Sequence, residues 1–201
     1  MGTGFRGALI CAGLACGALV PASVSAAAPG GRCSPPPRTS KVTHGVISAI
    51  DCVIGEARQL RSDVLTEARS AYPGCKEEES SLNPKWKVVE EDGTSIVQFA
   101  QVSLPQIAAE DTGVASYLGR FAHAYRDSHH SFLLQKAVRN FNKAKEYGDG
   151  FAESMVKAGQ ALKSHDCARS LDESDGQGKV RDQDAHSAEA EAQSALGELA
   201  G

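Results

Sequence analysis

The stretch KSHDCARSLDES, Lys163 to Ser174, sets Cys167 two residues after His165. A thiol beside an imidazole is a pairing that both nucleophilic catalysis and metal ligation use. Here Asp166, Asp172, Glu173 and Asp175 crowd the same segment, and carboxylates raise a thiol pKa and disfavour the thiolate. Cys167 is therefore expected to be one end of a disulfide. A second cluster joins His129 and His130 to Asp127, with His123 one to two turns earlier. Imidazoles and a carboxylate at such spacing suit zinc or copper. Neighbouring residues on a helix point about 100° apart, however, so the two histidines do not face one ion without a turn of the backbone. They are read as a polar inter-helix corner. No G-x-S-x-G, H-E-x-x-H, phosphate-cradling glycine loop or C-x-x-C occurs in the chain. No catalytic residue, metal or cofactor is expected, and the chain is read as a non-enzyme.

The elements that position these residues begin with a secretory leader. Arg6 is followed by an apolar run from Ala8 to Val20 and by Val24-Ser25-Ala26, a small-residue cleavage site. That combination reads as a signal peptide over 1–26, and hence as export to the extracellular space. The Pro- and Gly-rich stretch AAPGGRCSPPPRTS makes 27–42 an extended leader, and 43–201 one domain. No segment of the remainder has the length of a membrane span.

Removing the signal takes away Cys11 and Cys16 and leaves Cys33, Cys52, Cys75 and Cys167. An even number of cysteines in an exported chain favours disulfides, here with three possible connectivities. A bridge from Cys33 to Cys52 or Cys75 pins the leader to the domain. A bridge to Cys167 closes a loop of about ninety residues or more, worth on the order of 4 kcal/mol. The set favoured is Cys33–Cys52 with Cys75–Cys167. The net charge of −4 argues against nucleic acid and anionic membrane, whose phosphates call for basic patches.

Hydrophobic periodicity is helical throughout. Val46, Ile50, Val53, Ala57, Leu60 and Val64 mark one stripe, which predicts a helix over 43–71 that stops before Pro73-Gly74. Ile96, Val97, Phe99, Ala100 and Leu104 predict a second, kinked or ended by Pro105. Asp111-Thr112 reads as the N-cap of a third stretch carrying Val114, Leu118 and Phe121. The pattern resumes out of phase after His130, breaks at Gly148 and Gly150, and continues from Phe151 to Leu162. SDGQGKVRD reads as a loop, and the last residues as an alanine-rich helix. Trp86 is expected to cap one end. The fold class is all-α: a disulfide-stapled bundle of about four long helices plus shorter ones.

Ala137 to Glu173, with Ala161-Leu162 before Cys167 and Leu171 and Glu173 after it, resembles the later helices of plant invertase and pectin methylesterase inhibitors. The closing SALGELAG is similar to the helix that ends those proteins. Cys33 and Cys52 lie further apart than the family's opening cysteine pair. The resemblance implies a secreted inhibitor of an extracellular carbohydrate-active enzyme, in the cell wall space if the source is a plant, with another extracellular protein as partner and Cys167 as a structural cysteine. Two readings stand beside it. One is a carrier of a small apolar ligand, with Phe99, Phe121, Tyr125, Phe132 and Phe141 lining a space between helices. The other is a structural or effector protein that acts through an exposed apolar face.

Overall fold

A computed structural model describes residues 33, 34 and 37–201; the signal peptide and half of the leader read from the sequence lie outside them. Four long helices form the bundle: α1 (His44–Glu79), α2 (Lys87–Gly119), α3 (Ser128–Lys163), then after the short α4 (Cys167–Leu171) the helix α5 (Lys179–Ala200). The N-terminal third of α1 packs with the C-terminal ends of α2 and α5 and the start of α3. That arrangement is an up-down-up-down bundle. No helix among the described residues is long and apolar enough to cross a membrane.

The ends follow ordinary capping chemistry. The Thr43 hydroxyl accepts from the Val46 N–H at the start of α1, and the Asp127 carboxylate from the His130 N–H at the start of α3. Several predicted breaks do not occur. α1 runs through Pro73 to Glu79. Pro73 is exposed, so the carbonyl it deprives of a partner faces water, while Ala71 and Cys75 continue the buried stripe on either side. α2 likewise passes through exposed Pro105, and Ile96, Ala100, Leu104, Ala108, Ala115 and Leu118 stay in one phase across it. Asp111 lies inside this helix as a buried residue, not at an N-cap. α3 is unbroken by Gly148 and Gly150, because Ala144 and Phe151 hold the same buried face. The predicted loop at 174–182 is helical too: Asp172–Gly178 forms a π-helical segment that joins α4 to α5.

The apolar interior has two parts. One is built on Val46, Ile50, Ile54, Leu118, Phe121, Phe141 and Leu196. The other is built on Val64, Ala68, Ile96, Leu104, Phe151, Met155, Leu162 and the buried Cys75 and Cys167. Between them along the bundle lies a charged layer: Arg61 of α1, Asp111 of α2 and Glu189 of α5, each no more than 1 % exposed. At the far end of α3 its backbone nearly touches that of α2. A Cβ on Gly93 would stand 2.6 Å from the Gly159 carbonyl oxygen, and one on Gly159 the same distance from that of Gly93. Only glycine permits this approach.

Candidate functional site

The end of the bundle where α3 turns into α4 carries the least ordinary backbone. Ser164 caps α3; the His165 N–H bonds the Leu162 carbonyl, and the Asp166 N–H bonds that of Ala161 at 2.8 Å. This pair of bonds is a Schellman ending, whose C′ position is left-handed and usually glycine. Here it is His165, at φ 63°, a conformation that costs an L-residue about 1–2 kcal/mol. The imidazole is held on two sides. It stacks on the Trp86 indole with ring centroids 4.2 Å apart and planes 10° from parallel, and its Nε2 lies 2.8 Å from Glu90 Oε1. Asp166 then caps α4 by accepting from the Arg169 N–H.

Immediately after this turn comes the staple. Cys167 is bonded to Cys75 with Cα atoms 5.6 Å apart, joining positions 92 residues distant in sequence. Both cysteines are fully buried, so Cys167 offers neither a free thiol nor access. Trp86 packs its body on the same apolar cluster and so closes the bundle end. An open cleft of about 710 Å³ adjoins the unit and shares Glu90 with it, lined also by Lys87, Glu91, Thr94, Ser95 and Lys163. Leu82, wholly exposed, stands four residues before Trp86. The assembly is a rigid, amphipathic and charged surface. It has no nucleophile paired with His165.

The other residues singled out by sequence fall elsewhere. Cys33 bonds Cys52 with Cα atoms 5.7 Å apart. This strap is reinforced where Tyr117 donates to the Pro37 carbonyl and Tyr125 Oη accepts from the Val42 N–H. The Cys33 and Cys52 sulfurs and a Glu56 oxygen lie within 4.8 Å of one another, but disulfide sulfurs have no thiolate to give a metal. His130 sits at the corner before α3, its Nδ1 2.8 Å from Asp127 Oδ2. The His130 backbone N–H, then its ring, hold the Asp127 carboxyl below its ordinary pKa. His129 meets His130 edge-on at 5.7 Å. Phe121 and Phe141 are buried core residues and Phe132 is exposed.

Sequence reasoning missed the charged layer. Arg61 donates from Nε to Asp182 Oδ1 at 2.9 Å and from Nη2 to Glu189 Oε1 at 2.7 Å, while Arg58 Nε reaches the other Glu189 oxygen at 2.6 Å. Burial alone would lower the Arg61 pKa; charge and hydrogen bonds from Glu189 and Asp182 outweigh it and raise the value. No family model matches this chain, nor does any curated protein or solved structure.

Proposed function

We propose that the chain is a secreted binding protein that docks on another extracellular protein through the Trp86–His165 end of its bundle and does no chemistry of its own. One observation carries this reading: His165 is held left-handed by the Trp86 stack and Glu90, two residues from a buried disulfide. Backbone held out of its preferred region persists only where its surroundings over-determine it, and such positions gather at ligand clamps. Around it the surface offers what protein interfaces use. There is a half-buried tryptophan, an exposed leucine at Leu82, and a cleft of alternating charge at Lys87, Glu90, Glu91 and Lys163. The ordering costs of docking are met before the partner arrives, because helix ends, turn and staple already fix the surface.

The resemblance over Ala137–Glu173 makes invertase and pectin methylesterase the partners to assay first, as targets whose clefts this end would cover. The exported protein is mixed with each enzyme, beside a variant that changes only exposed residues, Leu82→Asp with Lys163→Glu. Inhibition by the parent that weakens at least tenfold in the variant supports the reading. Inhibition unaltered by the variant moves the docking face elsewhere, and unchanged rates with both enzymes remove the inhibitor version.

A further inference from the structure

We propose that Asp111 makes the contact of α2 with its neighbours a proton-operated latch, closed in mildly acidic surroundings and slackened towards alkaline ones. The geometry begins with Asp111 itself. It is 1 % exposed, and its Oδ2 has no hydrogen-bond partner. Arg61 of α1 is the cation that faces it, but that guanidinium already spends Nε on Asp182 and Nη2 on Glu189, and its Nη1 has no partner either. The remaining charges facing Asp111 are all acidic: Glu189 of α5, Glu110 of its own helix and Asp149 of α3. Glu189 has Arg58 as a second cation and Asp149 has Lys145, so Arg61 is the one cation that faces Asp111 itself, against three carboxylates.

Beside this group, Glu56 of α1 faces Glu110 of α2. Both Glu56 oxygens and Glu110 Oε2 are buried without a hydrogen-bond partner. Burial first, and Glu56 second, raise the Glu110 pKa. For Asp111 burial first, then Glu189, push the value up to about 7 against Arg61's opposing pull. The proton is therefore bound more tightly by the folded chain than by the unfolded one. The stabilisation it brings is complete below the unfolded pKa, near 3.9, and is lost as pH rises through about 7. A single such site changes the folding equilibrium by up to about tenfold per pH unit across that window.

The slack falls on α2 beyond Pro105. Upstream, Gly93 locks backbone to backbone with Gly159 of α3. Pro105 has no N–H to give the carbonyl four residues earlier, so the segment bearing Glu110 and Asp111 is joined to the locked half by one missing helical bond.

Hydrogen exchange of the disulfide-intact protein at pH 5.5 and 8.5, corrected for the intrinsic rate of each amide, tests this. Protection over 106–119 is expected to fall at least tenfold at the higher pH, with 87–104 holding more of its protection. Asp111→Asn should be protected alike at both values. Equal protection of the parent at both pH values overturns the latch, as does an Asp111→Asn variant that keeps the parent's drop. Should that variant not fold, the carboxyl carbon resonance of Asp111 in the parent decides: titration near neutrality supports the latch, and titration below pH 5 overturns it.

Discussion

Arg61 Nη2 lies 2.7 Å from Glu189 Oε1, a contact between α1 and α5 in which neither side chain is more than 1 % exposed. Coulomb attraction is strong in such surroundings, but so is the loss of hydration, and the pair's value shows mainly when it is broken. Arg61→Met removes the guanidinium that donates to Asp182 and leaves Glu189 with the Arg58 contact. The expected loss is about 3 kcal/mol, the lower end for a broken buried pair, because Arg58 stays. Arg61→Met with Glu189→Leu should recover part of it by removing the stranded charge. Urea unfolding of the three proteins measures both steps; a single variant as stable as the parent would sink the account.

This layer shows what the sequence makes readable and what it hides. The helices were legible because apolar residues at three- and four-residue spacing run through α1, α3 and α5 with few interruptions. Proline and glycine were read as stops because they weaken a helix locally, yet Pro73, Pro105 and Gly148 leave the buried stripe in phase on both sides. Tertiary packing of that stripe outweighs the local penalty. That continuity of phase is visible in the sequence, and it outweighs the breakers. Arg61, Asp111 and Glu189 occupy core positions of three stripes, an opposite-charge pattern that signals a buried ionic layer. Taken singly, arginine and glutamate are residue types found mostly at surfaces, and Asp111 beside Thr112 reads as a cap. The Trp86–His165 stack was not legible, since 79 residues separate two positions whose contact follows from how α2 and α3 align.

The left-handed His165 separates conformational strain from side-chain contact. Replacement by glycine removes the strain and the stack together, whereas alanine removes the stack and keeps the strain. His165→Ala is therefore expected to be the less stable of the two by about 1 kcal/mol. Urea midpoints at constant m-value give the comparison. Equal midpoints would mean that the left-handed backbone carries no penalty here.

The two disulfides should differ in both value and reach. Cys75–Cys167 spans 92 residues and Cys33–Cys52 spans 19, so the chain-entropy argument gives about 4.5 and about 3 kcal/mol respectively. Thiol exchange also needs access to a sulfur. Cys75 and Cys167 are wholly enclosed, while Cys33 is only partly covered. Limited reduction followed by alkylation and peptide mapping is expected to label Cys33 and Cys52 first. Simultaneous labelling of all four would show that the bundle end opens as readily as the leader strap.

Gly93 and Gly113 lie on the same helix and should respond oppositely to alanine. An added Cβ at Gly113 meets nothing within 4 Å, so the better helix propensity of alanine should raise stability by about 0.5–1 kcal/mol. At Gly93 the same atom would stand 2.6 Å from the Gly159 carbonyl oxygen and 3.0 Å from Leu162 Cβ. Backbone cannot yield as a flexible side chain does, so α2 and α3 must part, at a cost of about 1–3 kcal/mol or more. Gly159→Ala meets the Gly93 carbonyl oxygen and Val97 in turn and should cost as much. Because the crossing is shared, adding the second alanine to the first should cost less than the sum of the two single changes. Thermal unfolding of the four variants reads this directly. Full additivity would mean that each glycine is needed for its own surroundings and not for the crossing itself.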